Sequence, residues 1–250
     1  MILTPIPRER LHNALDRFLA GLVDPFSREV FLRVRATSAE RAVGAEAERH
    51  RQVALVLARR FSMAIHPEGT QCPFNWDGTA LNGATEAYVI LHEVAHFALA
   101  PPERRVLIDF GLGPGPDTLD RAAAERAAAL PTLAREEDEA AASLLGTVWE
   151  AELAQPALAS FLDQNWLEGL DRSAERHFTT VLGTPRQRRL RLPVDIRSWC
   201  PKPDFRPHRA RTADLQTCFD VAGQPRTVCS DGNGAASAHQ ITETLTSPPR

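Results

Sequence analysis

Leu91-His92-Glu93-Val94-Ala95-His96-Phe97 forms the centre of the stretch that decides how this chain folds. Residues 87–100 contain neither Gly nor Pro, and Pro101-Pro102 ends the stretch, so the sequence predicts a helix of about four turns. Side chains four residues apart project from the same face of a helix, so His92 and His96 offer two imidazole nitrogens on one side. Two histidines at this spacing, with a glutamate after the first, are typical of a metal-binding helix.

The apolar neighbours of these residues predict that the helix is buried. Val94, Ala95 and Phe97 occupy positions between and after the histidines. Two imidazoles and the Glu93 carboxylate are costly to bury unless a ligand or partner satisfies them. The alternative is a solvent-facing helix with hydrated side chains, and the apolar neighbours argue against it. The sequence therefore favours a metal centre.

A metal ion held by His92 and His96 needs at least one more protein ligand. Metzincins place a Gly three residues and a third His six residues after the second His, whereas this chain has Leu99 and Pro102 at those positions. The third ligand is therefore expected to be a carboxylate from another segment.

Residues 135–145 are the richest source of such a carboxylate. Glu139 is followed by small residues, which let one helix approach another closely, so it is the predicted third ligand. Glu136, one turn earlier, is the alternative. Glu137 and Asp138 are interpreted as acidic residues that the helix dipole favours near a helix start.

Asp109 lies in the apolar run 106–110, which predicts a short strand or a buried turn. Its carboxylate either orients a metal-bound imidazole or forms a salt bridge with Arg104 or Arg105, and the sequence leaves both open. The glycines that follow, within 111–115, predict a flexible loop that borders the site.

The residues after His96 carry a resemblance to a known family. The chain continues with Arg104-Arg105, then Leu107-Ile108-Asp109-Phe110-Gly111, then Pro116-Asp117. This order resembles the elongation factor P hydroxylase family, in which a His-Glu-Ile-(Ala/Ser)-His-Trp helix is followed at the same offsets by Arg-Arg, Leu-Val-Asp-Phe-Gly and Pro-Asp. The match spans the 26 positions from His92 to Asp117 and is weak elsewhere.

The resemblance implies an α+β, predominantly helical protein with a zincin-like metal-binding core. It implies a non-haem iron monooxygenase that hydroxylates a modified lysine of elongation factor P or of a similar protein. By position, His92 and His96 become metal ligands, Glu139 becomes the third ligand if this chain has a short insertion, and Glu93 and Asp109 become catalytic carboxylates. Fe(2+) is the expected metal and Zn(2+) is the alternative.

Departures from the family pattern keep other functions open. Leu112-Gly113-Pro114-Gly115 replaces aromatic residues and a Cys of the family, which predicts a reshaped site wall and leaves the substrate open. The second interpretation is a zinc-dependent metallopeptidase, in which Glu93 takes a proton from a polarised water. The third is a non-catalytic protein that keeps a degenerate site.

The composition limits the class of protein, the location and the partners that we expect. The chain has 250 residues, is 43% hydrophobic and carries a net charge of −3, values that are ordinary for a globular protein. No apolar run approaches the roughly 20 residues that span a bilayer, and the first residues lack the layout of a signal peptide. We therefore expect a cytoplasmic protein with neither a membrane nor a nucleic-acid partner, and the resemblance implies a protein substrate.

The pattern along the chain predicts one metal-binding catalytic domain over residues 1–185. Residues 186–250 have a basic surplus and frequent Pro, Gly, Ser and Thr, which predicts a disordered or loosely structured tail. Apolar periodicity predicts helices at 8–23, 38–62, 87–100, 119–130, 136–153 and 156–170.

Overall fold

The computed structural model describes residues 6–167 and 173–184, which are predominantly helical. This part of the chain contains nine α-helices, two short strands and a 3₁₀ turn. The helices are α1 Arg8–Gly21, α2 Pro25–Arg35, α3 Gly44–Arg60, α4 Ala87–Leu99, α5 Pro102–Arg105, α6 Arg121–Ala127, α7 Thr132–Glu152, α8 Ala157–Asp163 and α9 Ala174–Gly183. The strands are β1 Ala64–Ile65 and β2 Ala80–Leu81, and the 3₁₀ turn is Ile108–Gly111.

Three predicted helices are confirmed with small differences at their ends, namely α1, α4 and α7. The helix predicted at 38–62 begins only at Gly44, and the one predicted at 119–130 is shortened to α6. The helix predicted at 156–170 ends at Asp163, so its predicted extent is wrong. The domain boundary expected at residue 185 and the predicted tail lie outside the described residues.

Helix α2 was not predicted, although the sequence carries its start signal. The Asp24 carboxylate accepts hydrogen bonds from the backbone N–H and the hydroxyl of Ser27, at 2.8 Å each. Pro25 occupies the first helical position, where its missing N–H costs nothing and its fixed φ already suits a helix. Local capping chemistry therefore begins this helix directly after α1.

Helix α4 is the central element because it is apolar on nearly every side. Val89, Ile90, Leu91, Val94 and Ala95 are all buried. The helix packs most extensively against α7 and next against α3. A helix enclosed in this way presents its few polar side chains to other protein groups rather than to water, which confirms the predicted burial of the histidine helix.

Gly146 of α7 sets how closely α7 approaches α4. A Cβ atom at Gly146 would lie 3.3 Å from the Cα and the backbone nitrogen of His92, closer than most real Cβ contacts. The absence of a side chain therefore allows the two backbones to pack closely beside the first histidine.

The two strands form the small β component. They pair in parallel, with Ala64 opposite Ala80 and Ile65 opposite Leu81. The loop between them returns Trp76 to the core, where it is 3% exposed. The predominantly helical content with minor sheet agrees with the predicted class.

Four phenylalanines join the first and last described helices. Phe18 of α1, Phe31 of α2, Phe161 of α8 and Phe178 of α9 have ring centroids 4.7 to 6.4 Å apart, in tilted or edge-to-face pairs. Such pairs add stability beyond the burial of their area. No helix in the described ranges combines the length and apolarity required to cross a membrane.

Candidate metal centre

Three side chains from α4 and α7 converge on one point. Nε2 of His92 lies 2.9 Å from Nε2 of His96, and Oε2 of Glu139 lies 3.4 Å from each of these nitrogens. Within residues 6–167 and 173–184, this is the one group of His, Cys, Asp and Glu ligand atoms that gathers closely enough for a single ion. The structure thus brings the three predicted ligands together, while the alternative Glu136 is exposed and lies outside the group.

The distances fit a shared metal ion. An ion bound at about 2.1 Å by each atom separates neighbouring ligand atoms by roughly 3.0 Å at octahedral angles and roughly 3.4 Å at tetrahedral angles. The observed separations of 2.9 and 3.4 Å fall close to these values. Two imidazole nitrogens and one carboxylate oxygen are a donor set that suits both iron(II) and zinc(II).

The other ring nitrogens lack partners. Nδ1 of His92 and Nδ1 of His96 are both buried, and neither makes a hydrogen bond to the described part of the chain. A buried polar atom without a partner costs about 1–3 kcal/mol. A metal ion at Nε2 would not satisfy Nδ1, so the interpretation as a ligand site rests on the spacing of the Nε2 and Oε2 atoms.

Burial and mutual charge shift the pKa of each of the three candidate ligands. Burial alone would lower the pKa of His92, but the hydrogen bond and charge of Glu139, with the charges of Glu93 and Glu150, raise it. Burial lowers the pKa of His96. Burial acts to raise the pKa of Glu139, yet attraction to the two histidines holds it well below its usual value. A metal ion competes with protons for these three groups, because its ligands must be deprotonated.

Glu93 lies beside the ligands and is buried, with 7% of its surface exposed. Burial is the main cause that raises its pKa to about 8, the charges of Asp109 and Glu139 act in the same direction, and a hydrogen bond with Asn75 opposes the shift. Glu93 is therefore protonated at neutral pH in the metal-free protein. Its side chain faces the same space as the ligand atoms.

A cavity of about 200 Å³ opens onto the three ligand atoms. Four carboxylates line it, and no Lys or Arg is among the described residues of its wall. These carboxylates are Glu93, Asp109, Asp117 and Glu139. The space beside the candidate ligands is thus acidic.

The glycine-rich segment forms one wall of this cavity, as the sequence predicts. Leu112, Gly113 and Gly115 line it. Gly113 has a φ of +86°, in the region that favours glycine, and Gly111 before it has a φ of +72°. The segment that departs from the family pattern is therefore in a position to shape what enters.

Asp109 lies in the cavity wall but has neither of the two partners considered from the sequence. Its carboxylate accepts a hydrogen bond from the Thr118 hydroxyl at 3.1 Å, while Arg104 pairs elsewhere and the imidazole Nδ1 atoms are unpartnered. Burial raises the pKa of Asp109 to about 6. The catalytic role assigned to Asp109 stays a prediction.

The run 106–110 ends in a 3₁₀ turn rather than a strand, with Phe110 buried and Val106 exposed, and the backbone of the turn is strained. Asp109 and Phe110 have φ values of +44° and +54°, a region that residues with a side chain rarely adopt. The Phe110 ring stacks on His96 at 5.5 Å and on Trp76 at 5.6 Å between ring centroids. Strain of this kind is concentrated at functional sites, where the surroundings hold it in place.

Asp138 lies in the second turn of α7, which begins at Thr132, and not near the helix start where the helix-dipole interpretation placed it. It is 1% exposed, and its Oδ2 lies 2.6 Å from Nη2 of the buried Arg104. The interpretation was wrong because the partner lies 34 positions earlier in the chain, where no local pattern reveals it.

Other residues that line the cavity were not predicted from the sequence. Tyr88 precedes His92 by four positions on α4, so helix periodicity could have placed it on the same face. Asn75 and Gln164 come from loops, and no sequence signal marks them.

Comparison of the chain with protein-family models, with curated proteins and with solved structures gave no match.

Proposed function

We propose that this protein is a non-haem iron hydroxylase with a zincin-like core that acts on a modified lysine of elongation factor P or of a similar protein. The observation that carries the proposal is the convergence of His92, His96 and Glu139 on a point where one ion fits. Two histidines and one carboxylate on one side of an iron(II) ion leave positions free for dioxygen, whose activation is the chemistry that such an ion supplies. These free positions would face the cavity.

The residues that carry the family resemblance support this assignment. Asp109, Phe110 and Asp117 line the same cavity as the two histidines, although they are 13 to 25 positions away from His92 or His96 in the chain. A resemblance caused by chance has no reason to collect its residues around one space. The zincin-like core is supported by the buried HExxH helix α4 and by its packing against α7, which carries Glu139.

The charge of the cavity supports a cationic substrate. The carboxylates of Asp109 and Asp117 would attract the ammonium group of a lysine side chain, and Tyr88 adds an aromatic wall. The half-buried Asp109 and the buried Glu93 can hold or accept protons near the reacting carbon. In the reaction a C–H bond becomes C–OH with one oxygen atom of dioxygen, and the second atom leaves as water with two electrons and two protons from a reductant.

A zinc metallopeptidase is the second candidate, and one observation favours it. Glu93 follows the first histidine and lies in the cavity beside the ligands, where a hydrolytic base has to be. Its protonation at neutral pH in the metal-free protein does not suit a base, although a bound cation would favour the ionised form.

The proposal is tested by mass spectrometry of elongation factor P carrying its modified lysine, after incubation with the iron-loaded protein, dioxygen and ascorbate as the reductant. We expect a gain of one oxygen atom, lost in His96→Ala and kept in His12→Ala, whose side chain is exposed. No gain with the unaltered protein contradicts the assignment. Cleavage of an unfolded protein by the zinc-loaded form, abolished by Glu93→Gln, supports the peptidase instead.

A further inference from the structure

The buried guanidinium of Arg104 connects the two walls of the candidate metal centre. Arg104 is 5% exposed and extends from the short helix α5 between α7 and the strained turn. Its Nη2 lies 2.6 Å from Oδ2 of Asp138, and its Nη1 donates to the backbone carbonyl of Phe110 at 3.2 Å. The planar guanidinium of Arg104 thus bonds to α7 and to the strained turn at the same time.

The first contact acts on the third ligand. Asp138 directly precedes Glu139, so the two side chains project about 100° apart around α7. Because Asp138 is fixed against Arg104, the rotation of this part of α7 is fixed too, and Glu139 is turned toward the histidines. Half of the Glu139 side chain is exposed, with 50% of its surface open to solvent, so little other packing holds its carboxylate.

The second contact acts on the second histidine. The Phe110 ring stacks on His96 with an interplanar angle of 25° and on Trp76 with an angle of 1°. Phe110 has an unfavourable positive φ, so this placement of its ring needs restraint from the surroundings. The Arg104 hydrogen bond to the Phe110 carbonyl supplies such a restraint.

The geometry points to Arg104 as a positioning residue that sets the spacing between Glu139 and His96 before the metal binds. This inference rests on the proposed metal site and assigns Arg104 no contact with the metal or the substrate. A group that orients ligands from outside in this way affects metal affinity by about 10- to 100-fold.

A purely structural ion pair is the competing explanation, and a double substitution separates the two. Removing Arg104 alone leaves the Asp138 charge buried without that partner, which endangers folding. Replacing both residues, as Arg104→Met with Asp138→Leu, exchanges the pair for apolar groups, a change that proteins often tolerate. The double variant therefore keeps the fold while it loses the link between the walls.

The experiment measures cobalt(II) affinity by chelator competition, the visible spectrum of bound cobalt and thermal unfolding, all on the full chain. We expect the double variant to unfold near the temperature of the unaltered protein, to bind cobalt about 10- to 100-fold more weakly and to show an altered spectrum. Arg104→Lys keeps the charge, but one ammonium group does not reach both acceptors in the same geometry, so we expect weaker binding there as well.

The neighbouring Arg105→Lys is the control, because Arg105 donates to the Ala100 carbonyl and stacks on Phe97 without joining the walls. Unchanged affinity and spectrum in both Arg104 variants overturn the inference while the metal site stands. If the unaltered protein binds no cobalt, the metal site itself fails and the inference falls with it.

Discussion

At the residue scale, Glu150 has an environment that opposes its charge. It lies 11 residues after Glu139 on α7, about three turns further along the same face. Its Oε2 is buried and makes no hydrogen bond to the described residues, and the nearest Arg41 nitrogen is 3.5 Å from Oε1. Burial is the main cause that raises its pKa to about 7, from an ordinary value of 4.5.

This shift predicts how stability depends on pH. Between the ordinary pKa of 4.5 and the raised pKa of about 7, the unfolded chain has released the Glu150 proton while the folded protein retains it. The free energy of unfolding therefore falls as pH rises through this window, by roughly 3 kcal/mol at most. Urea unfolding of the metal-free protein at pH 5 and pH 8 measures the decline, and we expect a smaller decline in Glu150→Gln. Equal declines in the two proteins contradict the assignment of this effect to Glu150.

Whether the position of a residue could be predicted depends on how far apart in the sequence its contacts lie. The alignment of His92 with His96 depends only on helix geometry, and the placement of Glu139 depends on one further helix with small residues. The partnership of Arg104 with Asp138 joins segments 34 positions apart, and no periodicity encodes it. The three candidate ligands were therefore predictable from the sequence, while the ion pair of Arg104 with Asp138 beside them was not.

At the element scale, the candidate metal centre depends on the close approach of α4 and α7 at Gly146. A side chain there meets backbone atoms of His92, which do not move out of the way as a flexible side chain does. The ligands come from both helices, so any increase in their separation moves Glu139 away from the histidines.

We predict that Gly146→Ala weakens metal binding and lowers the free energy of unfolding by about 1–3 kcal/mol, because overpacking outweighs the better helix propensity of alanine. Gly183→Ala in α9 is the matched control, since within the described residues no side chain or neighbouring element lies within 4 Å of its Cβ position. There we expect unchanged metal affinity and a stability that is equal or higher by up to about 1 kcal/mol. Chelator competition and urea unfolding compare the two; identical behaviour excludes the close approach as a determinant of the site.

Helices with a periodic apolar pattern were predictable from the sequence. The turn that is defined by positive φ angles was not. Apolar periodicity predicted α1, α4 and α7, whereas α2 depends on capping by Asp24 that a search for periodicity overlooks. The sequence left a short strand and a buried turn both open for the run 106–110, and consecutive positive φ values at Asp109 and Phe110 make it a turn. Side chain chemistry alone does not reveal that conformation.

At the scale of the whole molecule, residues scattered along the chain meet in one acidic cavity. The lining extends from Asn75 to Gln164, although the resemblance covers only His92 to Asp117. Residues before 80 contribute to the core rather than to the ligands, as with Phe18 and Phe31. The sequence therefore predicted the centre of the site and the helical class, while the surrounding wall depends on tertiary packing.

The metal content of the anaerobically purified chain decides whether His92, His96 and Glu139 bind iron together. We predict about one iron per chain in the unaltered protein and in Glu136→Gln, the exposed glutamate of the same helix, and almost none in Glu139→Gln, because a carboxylate ligand is lost. Iron retained equally by Glu139→Gln, or no iron in the unaltered protein, would contradict the claim.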